Sequence, residues 1–174
     1  MCLRLALAAV LLSPALLAAT PGQPGPTVGK MAPLANLIGE WRGSGWMLLP
    51  DGTRQTFESR ETVTKKLSGA ALLVEGKHWQ KGRPDALVHD AMAMVTWDVR
   101  AGGYRFRSAL ASGMAGDFPM EIGPDRFTWR MDLPGGARME YLTDFSGGTW
   151  RERGRRIAAD GSATDVFEMT LTRQ

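Results

Sequence analysis

Through most of the chain apolar and polar residues trade places with a period of two. Tyr104, Phe106, Ser108 and Leu110 oppose Arg105 and Arg107, and Phe127, Trp129 and Met131 oppose Thr128, Arg130 and Asp132. Met139, Tyr141 and Thr143 oppose Arg138, Glu140 and Asp144, while Phe167, Met169 and Leu171 oppose Glu168, Thr170 and Thr172. Successive side chains of a strand point to opposite faces, so period two with one wet face predicts antiparallel sheet. Turn signals separate these runs: Asp51-Gly52, Ser68-Gly69, Gly82-Arg83-Pro84, Gly102-Gly103, Gly123-Pro124-Asp125, Pro134-Gly135-Gly136, Gly147-Gly148 and Asp160-Gly161. Their rhythm leaves room for a strand of roughly seven to ten residues and a hairpin loop each time.

The pattern predicts an all-β protein of about ten strands joined by consecutive hairpins. A meander of that length exposes aggregation-prone edges unless it closes, so an antiparallel up-and-down β-barrel is expected. About ten strands make a barrel wider than the eight-strand size that side chains just fill, and an interior cavity follows. Only Met31–Leu37 reads as helical after the leader, with no more than about two turns.

The beginning of the chain follows other rules. Leu5 to Leu17 is almost entirely Leu, Ala and Val, with Arg4 just ahead. A basic start, a short apolar run and small residues after it read as a secretory signal peptide over residues 1–19, with cleavage near Ala19 or Thr20. Leu17 fits the small-residue rule poorly, which keeps a retained anchor as the alternative. The run is short for crossing a bilayer core of about 30 Å, and the mature protein is expected to carry no transmembrane domain. Residues 20–30, rich in Pro and Gly, read as a flexible tether, and residues 31–174 as the barrel domain. The expected location is periplasmic or secreted.

Composition narrows the class. The chain has 174 residues, 21 Lys+Arg against 18 Asp+Glu, and a net charge of +3. That excess is too small for a dedicated nucleic-acid binder. The single cysteine, Cys2, lies in the leader, so an exported mature chain must hold together by its core rather than by disulfides.

Motifs at the two ends carry a resemblance. The first strand reads Leu37-Ile38-Gly39-Glu40-Trp41-Arg42-Gly43-Ser44-Gly45, a G-x-W following a short helical turn and opening a meander. This resembles the calycin superfamily of lipocalin and fatty-acid-binding-protein barrels. The resemblance implies barrel closure by Trp41 with a basic side chain over it, a role matched by Arg173 near the chain end. The chain also resembles the bacterial DUF1579 family over roughly residues 31–174. There the pattern is G-x-W-x-G (Gly39–Gly45), a D-G turn (Asp51-Gly52), Glu61-Thr62, and Leu72-Leu73-Val74-Glu75-Gly76, with Trp97-Asp98, Tyr104 and the last strand also fitting. That family brings the fold and no catalytic residues. Nitrobindin, a haem-binding barrel, has a similar G-x-W-x-G start, but its haem ligand is a histidine in the C-terminal part. This chain has no histidine after His89, which argues against that mode of haem binding.

Chemistry-bearing residues are sparse. A zinc site needs three or four ligands; with only His78 and His89 and no mature cysteine, no metal and no cofactor is expected. There is no G-x-S-x-G, H-E-x-x-H or phosphate loop. Gly39, Gly43 and Gly45 form a small-residue strip, either for close packing around Trp41 and Trp46 or as room for a ligand. On the second strand, Phe57, Val63 and Leu67 share a face with Ser59 and Glu61. On the third, Leu72 and Val74 share one with His78, and on the fourth Met92 and Met94 share one with Asp90. That phase aims Glu61, His78 and Asp90 into the lumen, near Tyr104 and Tyr141. They could serve as acid/base groups or polar contacts, or form a satisfied internal pair or solvated rim. Arg151, Arg153 and Arg155 share a face, with Arg156 beside them, and read as a ladder paired with Glu140, Asp144, Asp165 and Glu168, or as an anion- or partner-binding patch. Ten Met and six Trp serve either a core or an adaptable apolar cavity.

The leading expectation is an exported lipocalin-like barrel binding a small apolar or amphipathic molecule. The expected pocket is Met92, Met94, Tyr104, Phe106, Trp129, Tyr141 and Met169, with Glu61 and His78 as polar contacts. The alternatives are an enzyme using Glu61, His78 and Asp90 as acid/base groups, and an envelope interaction protein with a filled barrel.

Overall fold

The computed structural model describes residues 25–174. The stretch read as a signal peptide and Cys2 lie outside them. Ten strands follow one another: β1 (Gly39–Leu48), β2 (Arg54–Lys66), β3 (Ala71–Gln80), β4 (Leu87–Asp98), β5 (Gly103–Leu110), β6 (Ala115–Gly123), β7 (Arg126–Asp132), β8 (Arg138–Asp144), β9 (Thr149–Ile157) and β10 (Ala163–Arg173). Each pairs antiparallel with the next, and β10 returns to β1 from Trp41↔Arg173 to Met47↔Phe167. The closed, up-and-down barrel therefore has no free edge, as the hairpin rhythm predicts.

Directly paired residues of neighbouring strands share a face, so the register fixes what points inward. Inward-facing partners run Gly76↔Glu61↔Trp41 across β3, β2 and β1, and Glu152↔Met169↔Gly45 across β9, β10 and β1. The predicted inward faces of β5, β7, β8 and β10 hold. β4 has the opposite phase. His78↔His89, Gly76↔Ala91, Val74↔Ala93 and Leu72↔Val95 turn the odd-numbered residues inward. Asp90, Met92 and Met94 therefore take the outward register. The small alanines, not the bulky methionines, face the lumen, and Ala91 and Ala93 border the open interior there. Leu67 also departs from the expected face. β2 ends at Lys66, and Leu67 sits in a left-handed turn (φ 50°), 71% exposed.

One end is closed by an N-terminal 3₁₀ helix, Val28–Leu37. It starts three residues inside the stretch read as a tether. A 3₁₀ helix has three residues per turn, so residues three apart eclipse on one side. Met31, Leu34 and Leu37 occupy that side, and all three are buried in a core with Val63, Leu72, Val95 and Leu171. Trp41 lies fully buried beneath, edge-on to Trp150 at 5.8 Å, and its indole N–H donates to the Leu37 carbonyl at 2.8 Å. The Arg173 guanidinium stacks 4.3 Å over the Trp41 ring and donates to the carbonyls of Asn36 and Ile38. It thereby satisfies carbonyls that the helix end leaves open. Gly39 makes this contact feasible: its φ is 140°, and a Cβ there would sit 2.6 Å from Arg173 Nη1.

The glycine strip of β1 serves packing. Methyl groups at Gly43 and Gly45 would lie 2.9 Å from Leu171 Cα and 2.6 Å from Phe57 Cζ, respectively. Trp46 is not part of that packing. It lies on the outer face, bonded to Glu168 at 3.1 Å and covered by Arg54 at 3.8 Å. The outer face also carries the charge ladder, with Arg153 on Asp165 at 2.7 Å and Arg155 on Glu140 at 2.6 Å.

Candidate functional site

The end opposite the helix opens into a cavity of about 670 Å³. Its walls follow from the inward phase. One wall is aromatic: Trp129 stacks on Tyr141 (4.4 Å, 4°) and on Phe106 (4.8 Å, 18°), with Phe118 at 5.2 Å. These rings come from β5, β6, β7 and β8; Trp129 and Tyr141 are direct cross-strand partners, as are Phe106 and Phe118, and Trp129 reaches Phe106 across β6 through the lumen. The facing wall holds His78 between Phe57 (4.2 Å, 7°) and His89 (4.8 Å, 27°), with Phe167 alongside at 6.1 Å. Met47, Met114, Met131 and Met139 gather toward the mouth, a flexible apolar rim.

Polar groups converge inside this apolar space. Glu61 and His78 are 6% and 3% exposed, and His78 Nε2 lies 3.0 Å from Glu61 Oε1. Ser59 donates to the same carboxyl at 3.4 Å. Gly76, the register partner of Glu61, makes the space for it, since a Cβ there would sit 2.5 Å from both carboxyl oxygens. From β9, Glu152 accepts hydrogen bonds from Thr143 Oγ1 at 3.1 Å and Trp150 Nε1 at 3.2 Å.

Burial dominates the titration of these groups. Desolvation disfavours charge, so it pushes Glu61 up to about 8 and His78 down to about 4. His89 falls to about 4 for the same reason, helped by neighbouring His78. Glu152 rises to about 7 through burial and then through the nearby charge of Glu61. Tyr141 rises to about 12. Burial thus favours the neutral form of both imidazoles and of both carboxyls.

Of the residues singled out from the sequence, Glu61, His78, Phe106, Trp129, Tyr141 and Met169 line the cavity. Met92 borders it but is 51% exposed. Met94 faces away, opposite Leu73 and Arg107. Tyr104 belongs to the closed end, where its hydroxyl donates to the Lys30 carbonyl at 2.7 Å and its ring meets Trp97 edge-on at 4.9 Å. Its inward phase is as predicted, but its level in the barrel puts it under the helix. Asp90 pairs with Lys77 outside at 3.4 Å and is no partner for His78. Sequence reasoning missed Glu152 and His89. Glu152 alternates with Arg151 and Arg153, so the same rule that put the arginines outside puts it inside. Among the described residues no group of three or more His, Cys, Asp or Glu is arranged to hold a metal, and no helix is long and apolar enough to cross a membrane.

No family model matches the chain, and no curated protein resembles it in sequence. Solved structures do match in fold. Rv2717c from M. tuberculosis superposes with a TM-score of 0.62 at 14% identity, covering 83% of this chain and 96% of that one. The S-type phycobiliprotein lyase CPES from Guillardia theta gives 0.53 at 10% identity, covering 85% and 93%. The zebrafish ileal bile acid-binding protein, solved with cholic acid, gives 0.50 at 14% identity, covering 80% and 100%. At these identities the likeness is one of fold: the chain is a lipocalin-like barrel.

Proposed function

We infer that the protein binds a small apolar or amphipathic molecule in the barrel lumen. The observation that carries this reading is the cavity itself: about 670 Å³, closed at one end, open at the other, aromatic-walled, with a few polar groups converging inside. That is the size and character of a small-molecule site. The similar barrel from zebrafish holds cholic acid, which supports the reading by analogy of shape. Glu61, His78, Phe106, Trp129, Tyr141 and Met169 are the proposed contacts, joined by His89 and Glu152. Met94, Tyr104 and Asp90 are not among them.

Native mass spectrometry of the protein from its own cells, followed by solvent extraction, tests this. A stoichiometric small molecule is the expected result; a clean mass together with failure to take up apolar fluorescent probes would defeat it. Export belongs to the same proposal, supported by Arg4 and the apolar run Leu5–Leu17. N-terminal sequencing of protein from the cell envelope is expected to start near Thr20.

The Glu61–His78 contact at 3.0 Å favours one second reading, acid/base catalysis on the bound molecule. An enzyme of this kind loses several powers of ten in rate on His78→Ala; a binder loses only affinity.

A further inference from the structure

The lining of the cavity has a one-sided charge inventory. It contains two glutamates and two histidines, and no lysine or arginine among the described residues. The arginines of the neighbouring strands sit on the outer face, where Arg153 and Arg155 are engaged by Asp165 and Glu140. A carboxylate drawn into this lumen would therefore meet two acids and no cation, and a buried charge without a partner is strongly disfavoured.

We propose that the lumen selects an amine-bearing molecule with a flat apolar body, its ammonium held by Glu61 and Glu152 and its ring against Trp129. The proposal rests on the lumen-binding reading and specifies its ligand class. Three observations beyond the two acids support it. First, His78 is buried, lines the cavity, and its Nδ1 has no hydrogen-bond partner among the described residues. With Glu61 ionised, His78 Nε2–H donates to it, and Nδ1 is left as a buried acceptor without a partner. Second, Trp129, Tyr141 and Phe106 present stacked aromatic faces, which attract cations as well as flat rings. Third, the two acids come from β2 and β9 yet line the same cavity. They form one site.

The groups facing this site are few. Glu61 faces His78 from β3 and Ser59 on its own strand; Glu152 faces Thr143 and Tyr141 from β8 and Trp150 on its own strand. β1 and β10, lying between the two acids, place Trp41 and Met169 opposite them. When an ammonium enters, the acid that pairs with it gives its proton to bulk water. Binding of the cation thus releases a proton, and binding of a neutral analogue does not.

A matched series tests this: naphthylmethylamine, naphthylmethanol and naphthoic acid, titrated into the wild-type protein by calorimetry at neutral pH in two buffers of different ionisation enthalpy. The amine is expected to bind at least about tenfold tighter than the acid, with the alcohol between them, and its heat alone is expected to depend on the buffer. Glu61→Gln and Glu152→Gln are expected to shrink the gap between amine and acid. An acid that binds as tightly as the amine, or an amine no better than the alcohol, overturns the head-group selection and leaves lumen binding standing. If none of the three binds, the flat-ring amine class is overturned, while lumen binding stands or falls separately on native mass spectrometry and uptake of apolar fluorescent probes.

Discussion

Glu61 concentrates the physics of this protein in one side chain. Its carboxyl is buried, bonded to His78 and Ser59, and held near 8. An acid whose folded-state value lies above its ordinary 4.5 keeps its proton longer in the folded chain than in the unfolded one. Stability therefore falls as pH rises through that window. Glu152, near 7, acts in the same direction. His78 and His89 act oppositely: the unfolded chain takes up their protons near 6.5 and the folded chain only near 4, so stability rises with pH between those values. The two effects oppose each other from about pH 4.5 to 6.5, and only the acids remain above it. Thermal unfolding is expected to show Tm dropping by a few degrees between about pH 6.5 and 8, and Glu61→Gln is expected to flatten that drop. A drop of equal size in the variant would remove Glu61 as its source. Gly76→Ala tests the same group sterically. Its Cβ would contact both carboxyl oxygens at 2.5 Å, forcing the carboxyl from His78. A cost of about 1–3 kcal/mol, typical of overpacking, is expected in denaturant unfolding.

The closing helix is legible in part from its residues. Met31–Leu37 reads as a short helical stretch, and its spacing of three between Met31, Leu34 and Leu37 suits a 3₁₀ helix. That it runs from Val28, and that Lys30 packs its ammonium 4.3 Å over Trp97, depends on strands β4 and β5 being underneath. A 3₁₀ helix this long is uncommon on its own, so burial and the Arg173 clamp must hold it. Leu34→Ala is expected to destabilise the protein by about 2–5 kcal/mol, as for other fully buried leucines. Arg173→Ala is expected to cost less, about 1–3 kcal/mol, through the lost cation–π contact and the carbonyls left open. Chemical denaturation ranks the two; the reverse order would show that the helix is held by its cap rather than its core. β4 marks the limit of strand-by-strand reading. Its run Leu87–Asp98 carries methionines on one face and alanines and histidine on the other. Hydrophobic alternation cannot rank these faces, because both are apolar; only the pairing with β3 does.

For the barrel, the central question is whether the lumen is filled or free. The interior side chains at the helix end are large and close-packed, whereas Gly76, Ala91, Ala93 and Gly116 thin the walls further up. Ala91→Phe is expected to occupy the cavity from the β4 wall. It should abolish co-purification of a small molecule in native mass spectrometry and leave Tm unchanged or raised. Loss of folding instead would mean that the space is needed by the protein's own side chains.

Period-two alternation and evenly spaced turns were enough to establish an all-β meander, its number of strands and its need to close, because side-chain direction in a strand is local and unpaired edges are costly everywhere. The G-x-W opening and a terminal Arg marked the closed end only through the calycin resemblance they carry. Register was not local. The inward phase of β4, the meeting of Glu61 with His78, the arrival of Glu152 on the same lumen and the placing of Tyr104 beneath the helix all depend on which residues of distant strands lie opposite one another. A one-residue difference in register reverses a strand's faces, and only the closed barrel, packed on its helix, selects among those registers.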